Sequence, residues 1–193
     1  MMSPLPDDIL LDHARSGDEL AFRALVERYE SAVASVVIGM LGAGDDADDV
    51  GQETFIRFHG AMSTFRGDAA LGTYLRRIAM NLSLNALKRR RRFSLRLVSR
   101  DQTATPLDEP AVDAYDAEGA ERVTMVRRAV AQLGEKQRSV VVLRLLDGLS
   151  TNETAEVLEL PAGTVMSRLS RGVAELQRQV GWYANDSKER HDA

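Results

Sequence analysis

The sequence predicts an all-α protein of two small helical lobes joined by an acidic, flexible linker. Three observations carry this. Apolar residues recur at helical spacing through most of the 193 residues, and no segment shows sustained strand-like alternation. From Ser99 to about Gly119 the periodicity stops, in a stretch (SRDQTATPLDEPAVDAYDAEG) that is acidic and holds two of the five prolines. Charge then falls into blocks. Residues 1–75 carry 5 basic and 13 acidic side chains, 76–100 carry 9 basic and none acidic, 101–121 carry 7 acidic and none basic, and 122–193 carry 11 against 9. Beyond about 8–10 Å charges are screened, so each block acts locally. The net charge of −4 therefore does not exclude a nucleic-acid partner.

The elements follow in order. PDDILLDHARSGD reads as a short helix stopped at Ser16-Gly17, and Asp18 caps the next, ELAFRALVERYESAVASVVIGML. Gly42 and Gly44 break that helix, and another runs through VGQETFIRFHGAM. FRGDAALG is a turn region, followed by a long helix from about Leu71 to Arg92. After the linker come AERVTMVRRAVAQLG, EKQRSVVVLRLLDGL, STNETAEVLEL and PAGTVMSRLSRGVAELQRQV, with a frayed tail, NDSKERHDA. The predicted boundaries are 1–96 for the first lobe, 97–121 for the linker, 122–182 for the second lobe and 183–193 for the tail. Each lobe is small enough to be only moderately stable alone.

Composition excludes several classes. Cysteine is absent, which removes disulfides, thiolate catalysis and Cys-based zinc, and suits a reducing cytoplasm. The N-terminus has acids where a signal peptide needs a basic region and an apolar core. No run approaches 18 apolar residues, so a membrane-inserted protein is not expected. The three histidines (His13, His59 and His191) are scattered, and no glycine-rich phosphate loop follows a strand. No enzyme, small-molecule substrate or cofactor is expected.

The strongest local pattern is GLSTNETAEVLELPAGTVMSRLSRGVAEL. Ser150 and Glu153 form a capping box that opens a brief helix, and Pro161 stands at the predicted first position of the next. Two short helices and a tight turn make a helix-turn-helix. In the second helix Val165, Leu169, Gly172, Val173 and Leu176 form one stripe. Opposite lie Ser167, Ser170, Arg171, Ala174 and Arg178, with Thr164 and Arg168 on the shoulders. Slim residues interspersed with arginine suit a helix entering the major groove, and would equally suit the solvated face of a helical lobe.

The helix from Leu71 has a core stripe of Leu71, Leu75, Ile78, Leu82 and Ala86. Another face gathers Tyr74, Arg77, Asn81, Asn85 and Lys88, extended by Arg89 to Arg92. A stacking ring, amides and bases suit single-stranded or opening DNA. Basic residues also belong at a helix C-terminus on dipole grounds alone. The cluster Asp45, Asp46, Asp48, Asp49 and Glu53 lacks the spacing of a calcium loop, so no metal site is expected; it reads as an N-terminal turn and a docking surface for a basic partner.

Jointly, DDADDVGQETFIRFH, TFRGDAALGTYLRRIAMNLSLNALKRRRR, the acidic linker and LGEKQRSVVVLRLLDGLSTNETAEVLELPAGTVMSRLSR closely resemble regions 2 and 4 of bacterial sigma factors, in the small extracytoplasmic-function form. The resemblance covers about Asp7 to Val180. It implies that Asp48, Asp49, Gln52, Glu53 and Phe55 dock on the β′ clamp helices of core RNA polymerase, with the β flap as a further contact. It implies a loop, Phe65 to Leu71 with Arg66, beside a pocket for a flipped base of the −10 element. Ile78 and Asn81 match pocket positions, Asn81 as base reader, with Tyr74 on the same face. Arg76, Arg77, Lys88, Arg89, Arg90 and the two arginines after them match positions that hold promoter backbone. Ser167, Arg168 and Arg171 match the −35 recognition helix, with Thr151 and Thr164 as phosphate contacts. The linker resembles the segment that threads the polymerase cleft, and an anti-sigma partner is implied as well.

Departures from the pattern are Gly51 for a bulky aliphatic, costing about 1 kcal/mol in a helix interior plus lost packing, Met166 for a basic residue, and Asn152 and Thr154 where Glu and Ile are frequent. The resulting reading is an alternative sigma factor whose acidic blocks weaken its own DNA binding until polymerase covers them. Its rivals are a stand-alone helix-turn-helix regulator and a polymerase-bound inhibitory module.

Overall fold

The computed structural model describes residues 5–67, 69–98 and 117–189, which are helices and short connections with no strand among them. The helices are α1 (Asp7–Arg15), α2 (Glu19–Leu41), α3 (Asp45–Ala61), α4 (Leu71–Val98), α5 (Ala117–Gln132), α6 (Glu135–Val141), α7 (Thr151–Leu158) and α8 (Ala162–Glu189). A π-helical turn, Val142–Leu146, continues α6. Two extents differ from the sequence expectation. Helix α4 reaches Val98 and α5 begins at Ala117, so helix enters both ends of the segment read as linker; its middle, 99–116, lies outside the described residues. Helix α8 runs to Glu189, through most of the stretch read as a frayed tail, because no glycine or proline interrupts it after Gly181.

Helix α2 is the central strut of the first lobe. Asp18 caps it by accepting from the backbone N–H of Leu20 (2.9 Å) and Ala21 (3.2 Å). Leu25, Val33, Val36, Val37 and Met40 are buried against α1, α3 and α4. Tyr29 donates to the Asp7 carboxylate, which also pairs with Arg28, fastening α1 to α2. Burial and that carboxylate push the Tyr29 hydroxyl up to about 12.

At the far end of α2 the last carbonyls need donors, and arginines supply them. Arg90 of α4 donates to the Leu41 carbonyl (3.0 Å), and Arg138 of α6 donates to that of Met40 (2.9 Å). Burial lowers the Arg138 guanidinium from its ordinary value.

The second lobe does not stand apart from the first. Val140, Val141, Val142 and Leu143 are all at most 1% exposed. Four consecutive positions sweep about 300° around a helix axis, so burying all of them needs partners on several sides. Helix α8 covers one side and α2 another. Gly172 lets α8 approach, because a Cβ there would lie 2.7 Å from Val141 Cγ2. Gly39 does the same for α2, where a Cβ would meet Val142 Cγ1 at 2.7 Å. One continuous apolar cluster therefore runs from Leu10 through α2 and α4 to Val157.

The capping box forms as the sequence predicts. Ser150 Oγ accepts from Glu153 N–H (3.2 Å), and Glu153 Oε2 accepts from Ser150 N–H (2.7 Å). Helix α7 ends at Glu159 in the left-handed region (φ 53°), a conformation costing a residue other than glycine about 1–2 kcal/mol. Pro161 lies one position earlier than predicted, outside α8, and its carbonyl accepts from Thr164 N–H at 2.8 Å.

Two predictions follow from this lobe. Thr154 is fully buried and its hydroxyl has no partner. Thr154→Val, which keeps the shape and removes that group, should stabilise by about 1–2 kcal/mol and raise Tm by about 2–8 °C in thermal unfolding. The hydrogen bonds from Ser150 hold the Glu153 carboxyl below the usual carboxylate range. Its stabilising contribution is therefore complete above the unfolded value and is lost as pH falls through the lower folded value. The stability gap between wild type and Glu153→Gln should be constant near neutrality and close in strong acid, as followed by urea melts across pH.

Candidate functional site

Three surfaces gather the residues singled out from sequence. The first is the outer side of α3. Ala47, Val50, Thr54 and Phe58 point inward at helical spacing, which turns Asp48, Asp49 and Gln52 outward; Glu53 and Phe55 are half-buried. Glu53 pairs with Arg57 at 2.7 Å. Sequence reasoning missed Ile56, which is 64% exposed on this acidic side. Its signal was present: it sits two residues from both Thr54 and Phe58 and so cannot share their face. Gly51 faces open space, since a Cβ there meets nothing within 4 Å. The expected loss of packing at Gly51 is thus corrected: only the helix-propensity cost stands.

The second surface surrounds the turn after α3. Phe65 and Tyr74 are half-buried with ring centroids 4.9 Å apart, and Tyr74 also meets Phe58 edge-on at 6.4 Å. Arg66 is exposed beside them. The turn is held from beneath by Arg15 of α1, which donates to the Met62 carbonyl at 3.0 Å and to that of Phe65. Arg15 is a positioning residue that no local pattern revealed, because its targets lie 47 and 50 residues away.

Along α4 the predicted stripe is buried except Ile78, which is half-buried, and the buried sector is wider than predicted. It includes Thr73, Ala79, Met80 and Ser83, since α2, α3 and α7 all pack on this helix. Asn81, Asn85, Lys88 and Arg89 are exposed on the other side. Three arginines of this segment are engaged within the chain. Arg76 pairs with Asp147 (2.5 Å), and Arg77 donates to the Glu156 carbonyl (3.0 Å) and pairs with Glu159 (3.1 Å). Arg90 pairs with Asp46 in addition to capping α2.

The third surface is the outer face of α8. Val165 is fully buried, Gly172 is buried, and Leu169, Val173 and Leu176 are partly so, while Ser167, Ser170, Arg171, Ala174 and Arg178 are exposed. Thr151, Thr164 and Arg168 are half-buried on the shoulders. The predicted facing is reproduced residue by residue. Met166 is 62% exposed on the same helix, a bare apolar side chain among cations.

An all-helical chain with a basic, aromatic-bearing helix in one lobe and a helix-turn-helix in the other defines a DNA-directed regulatory protein. The comparisons narrow that class. Residues 25–93 match sigma-70 region 2, and residues 124–176 match sigma-70 region 4. The chain belongs to the extracytoplasmic-function group of the sigma-70 family. It is 34% identical to the sigma-E factor of Escherichia coli (strain K12), over 93% of this chain and 97% of that protein. It is likewise 34% identical to the RNA polymerase sigma-H factor of Pseudomonas aeruginosa, over 89% and 92%. Among solved structures, CnrH in complex with the cytosolic domain of CnrY superposes with a TM-score of 0.68 at 26% identity, covering 91% of this chain and 97% of that one. RpoE of Bartonella quintana, solved with the anti-sigma factor NepR, shares the fold (TM-score 0.65, 20% identity, 83% and 96% covered).

Gly51→Ala adds helix propensity into open space and should stabilise the chain by about 0.5–1 kcal/mol in chemical denaturation.

Proposed function

We propose that this chain is an alternative sigma factor that binds core RNA polymerase, directs it to promoters bearing particular −10 and −35 elements, and nucleates melting. The observation that carries the reading is the pairing, in one chain and in order, of region 2 and region 4 over nearly the whole length of sigma-factor relatives. A stand-alone regulator would need only the helix-turn-helix, and the first lobe would have no use.

The geometry supports a division of tasks. Exposed Asp48, Asp49 and Gln52, with Glu53 and Phe55 at their edge and Ile56 among them, offer acid around an apolar centre. That suits docking on the basic β′ clamp helices, where the apolar contact supplies affinity and the acids supply orientation and speed. The Phe65–Tyr74 pair, Arg66, Ile78 and exposed Asn81 sit on one side of the first lobe. Rings stack an extruded base and an amide reads its edge, offsetting the few kcal/mol that unstacking costs. Lys88 and Arg89 hold backbone phosphate nearby, and Arg76, Arg77 and Arg90 would join them only after leaving their present partners. On α8, Ser167, Arg168 and Arg171 read the −35 major groove, with Thr151 and Thr164 at the flanking phosphates. The region 4 lobe also contacts the β flap, and an anti-sigma factor would hold the chain in reserve. The activity is recruitment rather than catalysis, it needs no cofactor, and its setting is the cytoplasm; no described helix is long and apolar enough to cross a membrane.

The test is transcription in vitro with purified core enzyme on mapped promoters. Arg171→Ala should weaken promoter binding by about 1–3 kcal/mol and relax −35 selectivity. Asn81→Ala should depress open-complex formation at −10 sites while leaving core binding intact. Equal transcription from both variants and wild type would exclude this assignment of the two surfaces.

A further inference from the structure

Met166 is the one exposed methionine among the described residues: Met40, Met62 and Met80 are buried and Met125 is half-buried. A single apolar side chain in water is ordinary on a protein surface, so its place decides what it is for. Met166 stands in the opening turns of α8, and the N-terminal residues of the second helix of a helix-turn-helix are those that reach base edges. It follows Val165, which is fully buried, and so leaves the core stripe by about 100°. Its helical neighbours are slim. Gly163, three residues back, faces open space, where even a Cβ would meet nothing within 4 Å, and Ser170, four residues on, is exposed. Going round the axis from Met166 come Ser170, Ser167 and then Arg171, so the face runs from apolar through small and polar to cationic. The two edges suit different bases. An arginine fork matches the guanine acceptors, whereas a thioether gains from the C5-methyl of thymine, the apolar group of the major groove. Ser167 is no substitute, because its hydroxyl donates to the Thr164 carbonyl at 3.1 Å and keeps only lone pairs for a base.

We propose that Met166 is a specificity determinant of the −35 contact and that it selects a thymine through the C5-methyl group. The inference rests on the reading of α8 as the −35 helix, and it deepens that reading by naming the base group one residue recognises. A cation at this position would answer phosphate or a guanine edge; a methionine answers neither. Its unbranched, polarizable side chain follows a methyl group without the fixed geometry a hydrogen-bonding fork requires. It also enters the groove without giving up a hydrogen bond to water. The chemistry recognised is the methyl group rather than thymine as a whole. Deoxyuridine lacks that group and 5-methylcytosine carries it at the same place in the groove, so the two bases separate this contact from every other feature of the site.

Holoenzyme reconstituted from purified core enzyme and the full chain first selects its −35 element from a duplex library randomised there. Duplexes carrying deoxyuridine at each selected thymine in turn are then compared by equilibrium binding for wild type, Met166→Ala and Met166→Leu. Wild type should lose about four-fold at one thymine, the equivalent of roughly 0.8 kcal/mol for a methyl-sized group taken out of water. Met166→Ala should bind the thymine and uracil duplexes equally, and Met166→Leu should keep most of the gap. At that position 5-methylcytosine should outbind cytosine by a similar factor with wild type and not with Met166→Ala. Any effect of the missing methyl on the DNA itself is common to all three proteins and cancels in the comparison. A selected element without thymine, no uracil penalty in wild type, or a penalty that Met166→Ala retains would overturn the assignment. A chain that fails to bind core enzyme would instead sink the sigma-factor reading. The same duplex comparison made with the chain alone would then still judge Met166, and absence of DNA binding in either form would overturn both.

Discussion

The fold depends on one constraint: α2 is apolar on more sides than its own lobe can cover. Its last turns, ASVVIGML, offer apolar side chains all around the axis. Helices α1, α3 and α4 bury Val33, Val36, Val37 and Met40. The side carrying Gly39 and Ile38 still needs a lid, and among the described residues the second lobe supplies one. Val142 and Leu146 of the π turn provide it. Water exclusion on that side is worth about 25 cal/mol for each Å² of apolar surface removed. The closed arrangement of the lobes is therefore a consequence of where α2's hydrophobicity runs, and the ion pairs fix its register.

Seen this way, the π turn has a reason. Val140 to Leu143 must satisfy α8 and α2 at once. A regular helix would carry the next residues round by 100° each. The widened turn, with Asp147 N–H reaching the Val142 carbonyl and Leu149 N–H the Leu143 carbonyl, delays that rotation. The residue that follows it, Asp147, meets Arg76, so one local irregularity serves both the apolar seat and the buried charge.

Much of this was legible in the sequence, and the boundary is physical. Helical period, the Ser150 capping box and the two faces of α8 were readable because each is set within a turn or two of chain. The acidic outer side of α3 followed from the same periodicity. Arg15 beneath the Phe65 turn was not readable, nor was Arg138 on Met40, because such bonds join positions 47 to 98 residues apart. The run from Lys88 to Arg92 read as a uniform cationic surface, yet Arg90 is drawn inward by Asp46 and the end of α2 while its neighbour Arg89 stays out. Composition gives the charge; only packing says which charges remain available.

That distinction bears on why the chain segregates its charges at all. An α4 with eight cations and no acids would be a general polyanion binder if every one of them were free. Three of them are answered instead by carboxylates drawn from elsewhere: Asp46 at the start of α3, Asp147 after the π turn, and Glu159 in the helix-turn-helix. These acids come from three separate elements packed against α4. Because Asp147 is nearly buried, its pair with Arg76 is little screened by salt, and breaking it in place would strand a charge in an apolar surrounding. Moving the lobes apart is different, since both groups then regain water together. The arrangement favours concerted separation over piecemeal fraying.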